Sequence, residues 1–132
     1  MNPILVVDDS QTVREFVKIY LMDLGYEFVE ADTGARALQL ARLMAFDLVI
    51  ADVKMPEMDG FTMVRQLRAD PDVKSKQVPV ILLTGEKGAM MRVQSLNAGA
   101  NAFLPKPIET EKLRELARQL LGLAPAGKAV RK

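Results

Sequence analysis

The 132-residue chain contains no histidine and no cysteine. Those absences exclude zinc sites, thiol chemistry, disulfides, a histidine general base and a phosphohistidine within the chain. Any bound metal would have to be a hard ion that takes oxygen ligands. Neither sign of charge is in excess: 18 Lys and Arg stand against 17 Asp and Glu, a formal net charge of +1. That balance gives no electrostatic footprint for nucleic acid or a membrane surface as a partner. No apolar run approaches the roughly 18 residues of a membrane span, and no leader pattern opens the chain, so neither a membrane segment nor a signal peptide is expected. The lack of cysteine fits a cytoplasmic location. No G-x-G-x-x-G and no P-loop occurs, which argues against a nucleotide or flavin binder.

What is present suits one domain with a real core: 49% of the residues are hydrophobic and 27% charged. Short apolar runs alternate with segments of helical period. Ile4 to Val7 reads as a strand buried on both faces. From Ser10 the period becomes helical, with Val13, Phe16, Val17, Tyr20 and Leu24 on the inner face and Gly25 as the stop. Glu27 to Ala31 is a second strand; Thr33 caps a helix whose inner face is Ala37, Leu40, Ala41 and Met44. Residues 46–52, FDLVIAD, form a third strand, and VKMPEMDG after it is a loop in which Asp59-Gly60 is a turn and helix start. A helix from about Phe61 turns Val64 and Leu67 inward. VPVILLT is a fourth strand ending in Thr84; Gly85 and Gly88 loosen the start of the next helix, which Gly99 closes. NAFLPKP holds a short fifth strand, and a last helix runs from about Glu109 to Leu121. Five strand–helix units imply an α/β fold, a parallel sheet with helices on both faces. Residues 1–121 form the domain, and 122–132, small and weakly basic, read as a flexible tail.

In an open parallel sheet, ligands bind outside the carboxyl ends of the strands. The first strand delivers Asp8 and Asp9 there, the third Asp52, the fourth Thr84 and the fifth Lys106. Gathered carboxylates raise one another's pKa unless a cation neutralises them. With oxygen ligands alone, that cation is Mg²⁺ or Mn²⁺. The set reads as a phosphoryl site: Asp52 is the nucleophile, Asp8 and Asp9 hold the metal, and Thr84 and Lys106 grip the remaining oxygens.

Four stretches in order, VVDDS, DLVIADVKMPEMDG, VPVILLTG and AFLPKP, each at a strand end, resemble the receiver domains of two-component response regulators, of the single-domain chemotaxis-receiver type. The resemblance covers roughly residues 3–121. It implies a doubly wound, flavodoxin-like sheet of five strands in the order 2-1-3-4-5. It makes Asp52 the phosphoacceptor and assigns Mg²⁺ to Asp8, Asp9, Asp52 and the backbone carbonyl of Lys54. It implies that Lys106 contacts the phosphoryl group, that the Lys106–Pro107 bond is cis, and that Thr84 is the switch hydroxyl. Phe103 falls at the aromatic switch position, where many relatives carry Tyr; without a hydroxyl, its inward burial rests on packing. Lys54 and Glu86 flank the site at the variable positions, where an ion pair between them would shield the acyl phosphate from water.

The implied function is a phosphorylation-activated signalling switch. A histidine kinase or phosphotransfer protein supplies the phosphoryl group, and a downstream protein reads the surface of the fourth helix, fifth strand and fifth helix. The chain would catalyse only its own phosphorylation and dephosphorylation, as a monomer or a phosphorylation-dependent dimer. Taken singly, each residue has a plainer reading: Asp8-Asp9 as a helix N-terminal acid pair, Thr84 as a cap, Lys106 as a solvated lysine, Phe103 as core. Met90 and Met91 are either core filler or partner contacts. A haloacid-dehalogenase-like phosphatase would want a second Asp where Lys54 stands. A phosphorylation-independent scaffold would not need the complete acidic set.

Overall fold

The computed structural model describes residues 1–85 and 88–124. Glu86 and most of the expected tail lie outside the described residues. Among them the order is β1 (Ile4–Val7), α1 (Gln11–Leu21) with a 3₁₀ turn at Met22–Leu24, β2 (Phe28–Ala31), α2 (Gly34–Leu43), β3 (Leu48–Asp52), α3 (Gly60–Ala69), β4 (Val80–Thr84), α4 (Ala89–Ala98), β5 (Ala102–Pro105) and α5 (Thr110–Leu120). The five strands are parallel and lie in the order β2-β1-β3-β4-β5. The α/β class is as the strand–helix alternation implies, and the 2-1-3-4-5 order is as the resemblance implies.

The local signals act where chemistry places them. Ser10 Oγ accepts the Val13 N–H, Thr33 accepts from Arg36 N–H, and the Asp59 side chain accepts from Thr62 N–H, each satisfying an otherwise orphan donor at a helix start. Gly25 (φ 82°) and Gly99 (φ 105°) adopt the left-handed conformation that ends the turn before them.

Because strand side chains alternate, the sheet feeds two cores. Leu5, Val7, Val49, Ala51, Val80 and Leu82 pack under α2, α3 and α4. Ile4, Val6, Leu48, Ile50, Ile81 and Leu83 pack under α1 and α5, against Val17, Leu21, Leu113 and Ala117. Each fully buried Leu or Ile stabilises the fold by about 1.5–3 kcal/mol, and truncating one such as Leu82→Ala would cost about 2–5 kcal/mol.

Two expected core positions are not in the core. Phe16 is 48% exposed and stacks instead on Tyr20, ring centroids 6.1 Å apart. The buried stripe of α1 runs through Val17 and Leu21, which leaves Phe16 at its solvent edge. Met44 is 39% exposed because α2 ends at Leu43 and extended backbone (φ −147°, ψ 157°) carries Met44 off the helical face. Met90 is 69% exposed, whereas Met91 packs partly against the α2–α4 core.

The register positions the site. Val7 pairs with Ala51, and Asp52 with Leu83, so Asp8 and Asp52 emerge level at the carboxyl edge. The ladder continues one bond further: Val53 N–H donates to Leu83 O at 2.8 Å and Lys106 N–H to Thr84 O at 2.6 Å.

Candidate functional site

Asp8, Asp52 and Thr84 are buried at the carboxyl edge, at 1%, 5% and 2% exposure, while Asp9 faces solvent. One carboxylate oxygen from each of Asp8, Asp9 and Asp52 lies within 4.8 Å of the others. The Lys106 ammonium reaches in from β5, 3.1 Å from Asp52 Oδ2 and 3.8 Å from Asp8 Oδ2. Asp8 Oδ1 accepts the Ser10 N–H at 2.9 Å. Its other oxygen, Oδ2, is buried without a hydrogen-bond partner among the described residues.

Burial pushes the Asp8 carboxyl up to about 6, and the neighbouring Asp52 and Asp9 charges push the same way. The Ser10 N–H and the Lys106 ammonium pull against them without prevailing. An orphaned, desolvated carboxylate oxygen beside two further carboxylates is a site short of positive charge. A hard divalent ion with oxygen ligands fits that donor set: it would satisfy Oδ2 and neutralise the cluster that one lysine leaves acidic.

The loop from Val53 to Gly60 closes tightly on this edge. Gly60 N–H donates to Val53 O at 2.8 Å, and a Cβ on Gly60 would sit 2.5 Å from Asp52 O. Within the loop Glu57 takes φ 71°, and Met58 N–H donates back to Pro56 O at 2.7 Å. Beside Thr84 a cavity of about 150 Å³ is lined by Val53, Lys54, Gly85 and Met91.

Residues 4–118 match the response regulator receiver domain family. The chain belongs to that family. It is 39% identical over 121 residues to chemotaxis protein CheY1 of Helicobacter pylori (strain J99), a match covering 90% of this chain and 96% of that protein. Among solved structures it is similar to Vibrio cholerae chemotaxis protein CheY4, with TM-score 0.82 and 35% identity over 91% of this chain and 98% of that one. It is also similar to the receiver domain of the Pseudomonas aeruginosa sensor histidine kinase PA1611, with TM-score 0.80 and 28% identity, covering 92% and 98% of the two chains. That structure has a magnesium ion coordinated in its active-site cleft. Receiver domains are signalling switches that work with histidine kinases or phosphotransfer proteins. Among the described residues no helix is long and apolar enough to cross a membrane.

The structure therefore brings Asp8, Asp9, Asp52 and Lys106 together, with Thr84 at the end of the adjacent strand. The Lys106–Pro107 peptide is cis. Phe103 lies outside the acid cluster; partly buried against the α2–α4 core, its ring carries the Arg92 guanidinium 5.8 Å from its centroid. A cation thus lies over the ring in addition to its packing. The Lys54–Glu86 pair lies outside the described residues at its Glu86 end.

The residues that sequence reasoning missed are Gly60, which lets α3 touch the Asp52 backbone, and Arg14, whose Nη1–H donates to Asp8 O at 2.6 Å. MDG carried a signal for the first, since a glycine at a helix start also permits close approach. Nothing in the sequence signals the second.

Proposed function

We propose that the chain accepts a phosphoryl group on Asp52 from the phosphohistidine of a histidine kinase or phosphotransfer protein. A carboxylate oxygen of Asp52 attacks phosphorus, the P–N bond breaks, and its electron pair returns to the imidazole of the donor. Asp8, Asp9, Asp52 and the Lys54 carbonyl would hold Mg²⁺, with Mn²⁺ as a substitute. When bound, the ion neutralises charge that develops on the transferred group. Lys106, already within reach of Asp52, takes the phosphoryl oxygens, and the Thr84 hydroxyl donates to another. The observation that carries the reading is the orphaned Asp8 oxygen facing Asp52 and Lys106 at the strand ends.

Movement of Thr84 towards the new phosphate would draw on the cavity beside it and reset Phe103, remodelling the α4–β5–α5 surface for a downstream protein. Water attack on the acyl phosphate returns the switch to rest, so the domain catalyses only its own phosphorylation and dephosphorylation. Incubation with acetyl phosphate and Mg²⁺ tests this directly: the parent gains one phosphoryl mass and Asp52→Asn gains none. Equal gain by both proteins would reject Asp52 as the acceptor.

A further inference from the structure

Arg14 sits in the second turn of α1 and touches none of the carboxylates in the acid cluster. Its Nη1–H donates to the backbone carbonyl of Asp8 at 2.6 Å. Its Nε–H donates to Glu30 Oε1 at 2.8 Å, on the edge strand β2. The other Glu30 oxygen is held by Lys18 Nζ at 2.7 Å. The Arg14 side chain is 15% exposed, so its fork is fixed at both ends and largely covered.

The Asp8 carbonyl is one half of the rigid peptide unit that joins Asp8 to Asp9. The Asp8 carboxylate has its own guide in the Ser10 N–H. Asp9 is exposed, so surrounding packing does little to direct it. Its direction follows from the peptide plane that precedes it, and Arg14 holds that plane. Arg14 bonds the peptide carbonyl rather than either carboxylate, so its hold on this segment is a matter of geometry.

We propose that Arg14 is a positioning residue for the divalent-cation site: it clamps the Asp8–Asp9 peptide plane from α1, with Glu30 as its anchor, and so aims Asp9 at Asp8 and Asp52. The inference rests on the cation site described above. Residues that orient metal ligands in this way change metal affinity by about 10–100-fold when removed. A residue that merely braced α1 against β2 would shift the thermal midpoint, by little for a partly exposed ion pair, and leave Mg²⁺ affinity alone.

The test is a Mg²⁺ titration followed through the amide resonances of Asp9 and Ser10, on the parent, Arg14→Ala, Arg14→Lys and Glu30→Ala, with thermal midpoints recorded for each. Arg14→Ala is expected to bind Mg²⁺ about tenfold more weakly or worse, and to move the Asp9 amide resonance before any metal is added. Arg14→Lys, which can reach the carbonyl or Glu30 but not both, recovers part of the affinity. Glu30→Ala, which frees the anchor, falls between parent and Arg14→Ala. If Arg14→Ala, or Arg14→Lys should the alanine variant not fold, binds Mg²⁺ as the parent does, the positioning role is overturned while the cation site stands. A parent that binds no Mg²⁺ overturns both.

Discussion

The guanidinium of Arg92 lies 5.8 Å from the centroid of the Phe103 ring and ties α4 to β5. A phenylalanine has no hydroxyl to bond a neighbouring loop, and the cation over its face supplies a different restraint. At partly exposed sites such contacts contribute about 0.5–1 kcal/mol. A double-mutant cycle on Arg92→Ala and Phe103→Leu, read by urea denaturation, should return a coupling of about that size. Additive effects of the two substitutions would show that the ring is held by packing alone.

Asp8 makes metal-free stability depend on pH with a definite sign. Its folded pKa is about 6 against 3.8 for the solvated carboxyl of the unfolded chain, so between those values the folded protein holds a proton that the unfolded chain has released. Its contribution is fullest below pH 3.8 and is lost as pH rises through about 6. Asp23, Glu30 and Asp70, whose pKa values are lowered by arginine and lysine partners and by backbone N–H groups, act oppositely: what they contribute is lost as pH falls. Asp8→Asn isolates the Asp8 part. Without metal it should be more stable than the parent at pH 7, by at most about 3 kcal/mol, and the gap should close near pH 4. Mg²⁺ should raise the parent's thermal midpoint at pH 7.5 and do little at pH 5, because a protonated Asp8 is a poor ligand. Thermal melts at the two pH values, with and without Mg²⁺, check both statements.

Lys106 stands where a cation and a phosphoryl group would each feel it. Its ammonium, 3.1 Å from Asp52, partly neutralises the acids and therefore opposes the entry of a second cation. Lys106→Met keeps the apolar stem and removes the charge. The expected result is split: Mg²⁺ affinity unchanged or higher, and phosphorylation by acetyl phosphate slower by about tenfold or more, since a preorganised charge at the transferred group is gone. A parallel fall in both would mean that the lysine only maintains the fold.

The fold was legible because its signals are local. Apolar runs of strand length, helical spacing between them and breakers such as Gly25 and Gly99 are all written in consecutive residues. The acid cluster was legible through one topological rule, that strand carboxyl ends converge, applied to Asp8, Asp52, Thr84 and Lys106. What escaped is contact with backbone. Arg14 reaches the carbonyl of Asp8, and Arg68 reaches those of Lys76, Val78 and Gly99. Every residue offers a carbonyl, so the acceptor leaves no mark in the sequence. Phe16 and Met44 escaped for a different reason: each lies where the apolar stripe or the helix itself ends, and periodicity is blind at its own edges.

The loop after Asp52 joins two opposite backbone demands. At Gly60 the demand is for space: its φ is not left-handed, yet a Cβ would lie 2.5 Å from Asp52 O and 3.0 Å from Val53 Cα. Both are main-chain atoms and cannot swing aside, so Gly60→Ala must push α3 away from the end of β3, at a cost of about 1–3 kcal/mol. Because the displaced atom belongs to Asp52, Mg²⁺ affinity should fall with stability. At Glu57 the demand is conformational: φ 71° is unfavourable for a residue with a Cβ, and Glu57 is exposed. Glu57→Gly relieves that strain but loosens the unfolded chain, so it should stabilise by no more than about 1 kcal/mol, whereas β-branched Glu57→Val should destabilise by about 1–3 kcal/mol. Urea midpoints rank the variants, with Gly60→Ala and Glu57→Val below the parent and Glu57→Gly at or above it. A Glu57→Val protein as stable as the parent would mean that this loop carries no strain, and a Gly60→Ala protein with parental Mg²⁺ affinity would mean that α3 does not hold Asp52 in place.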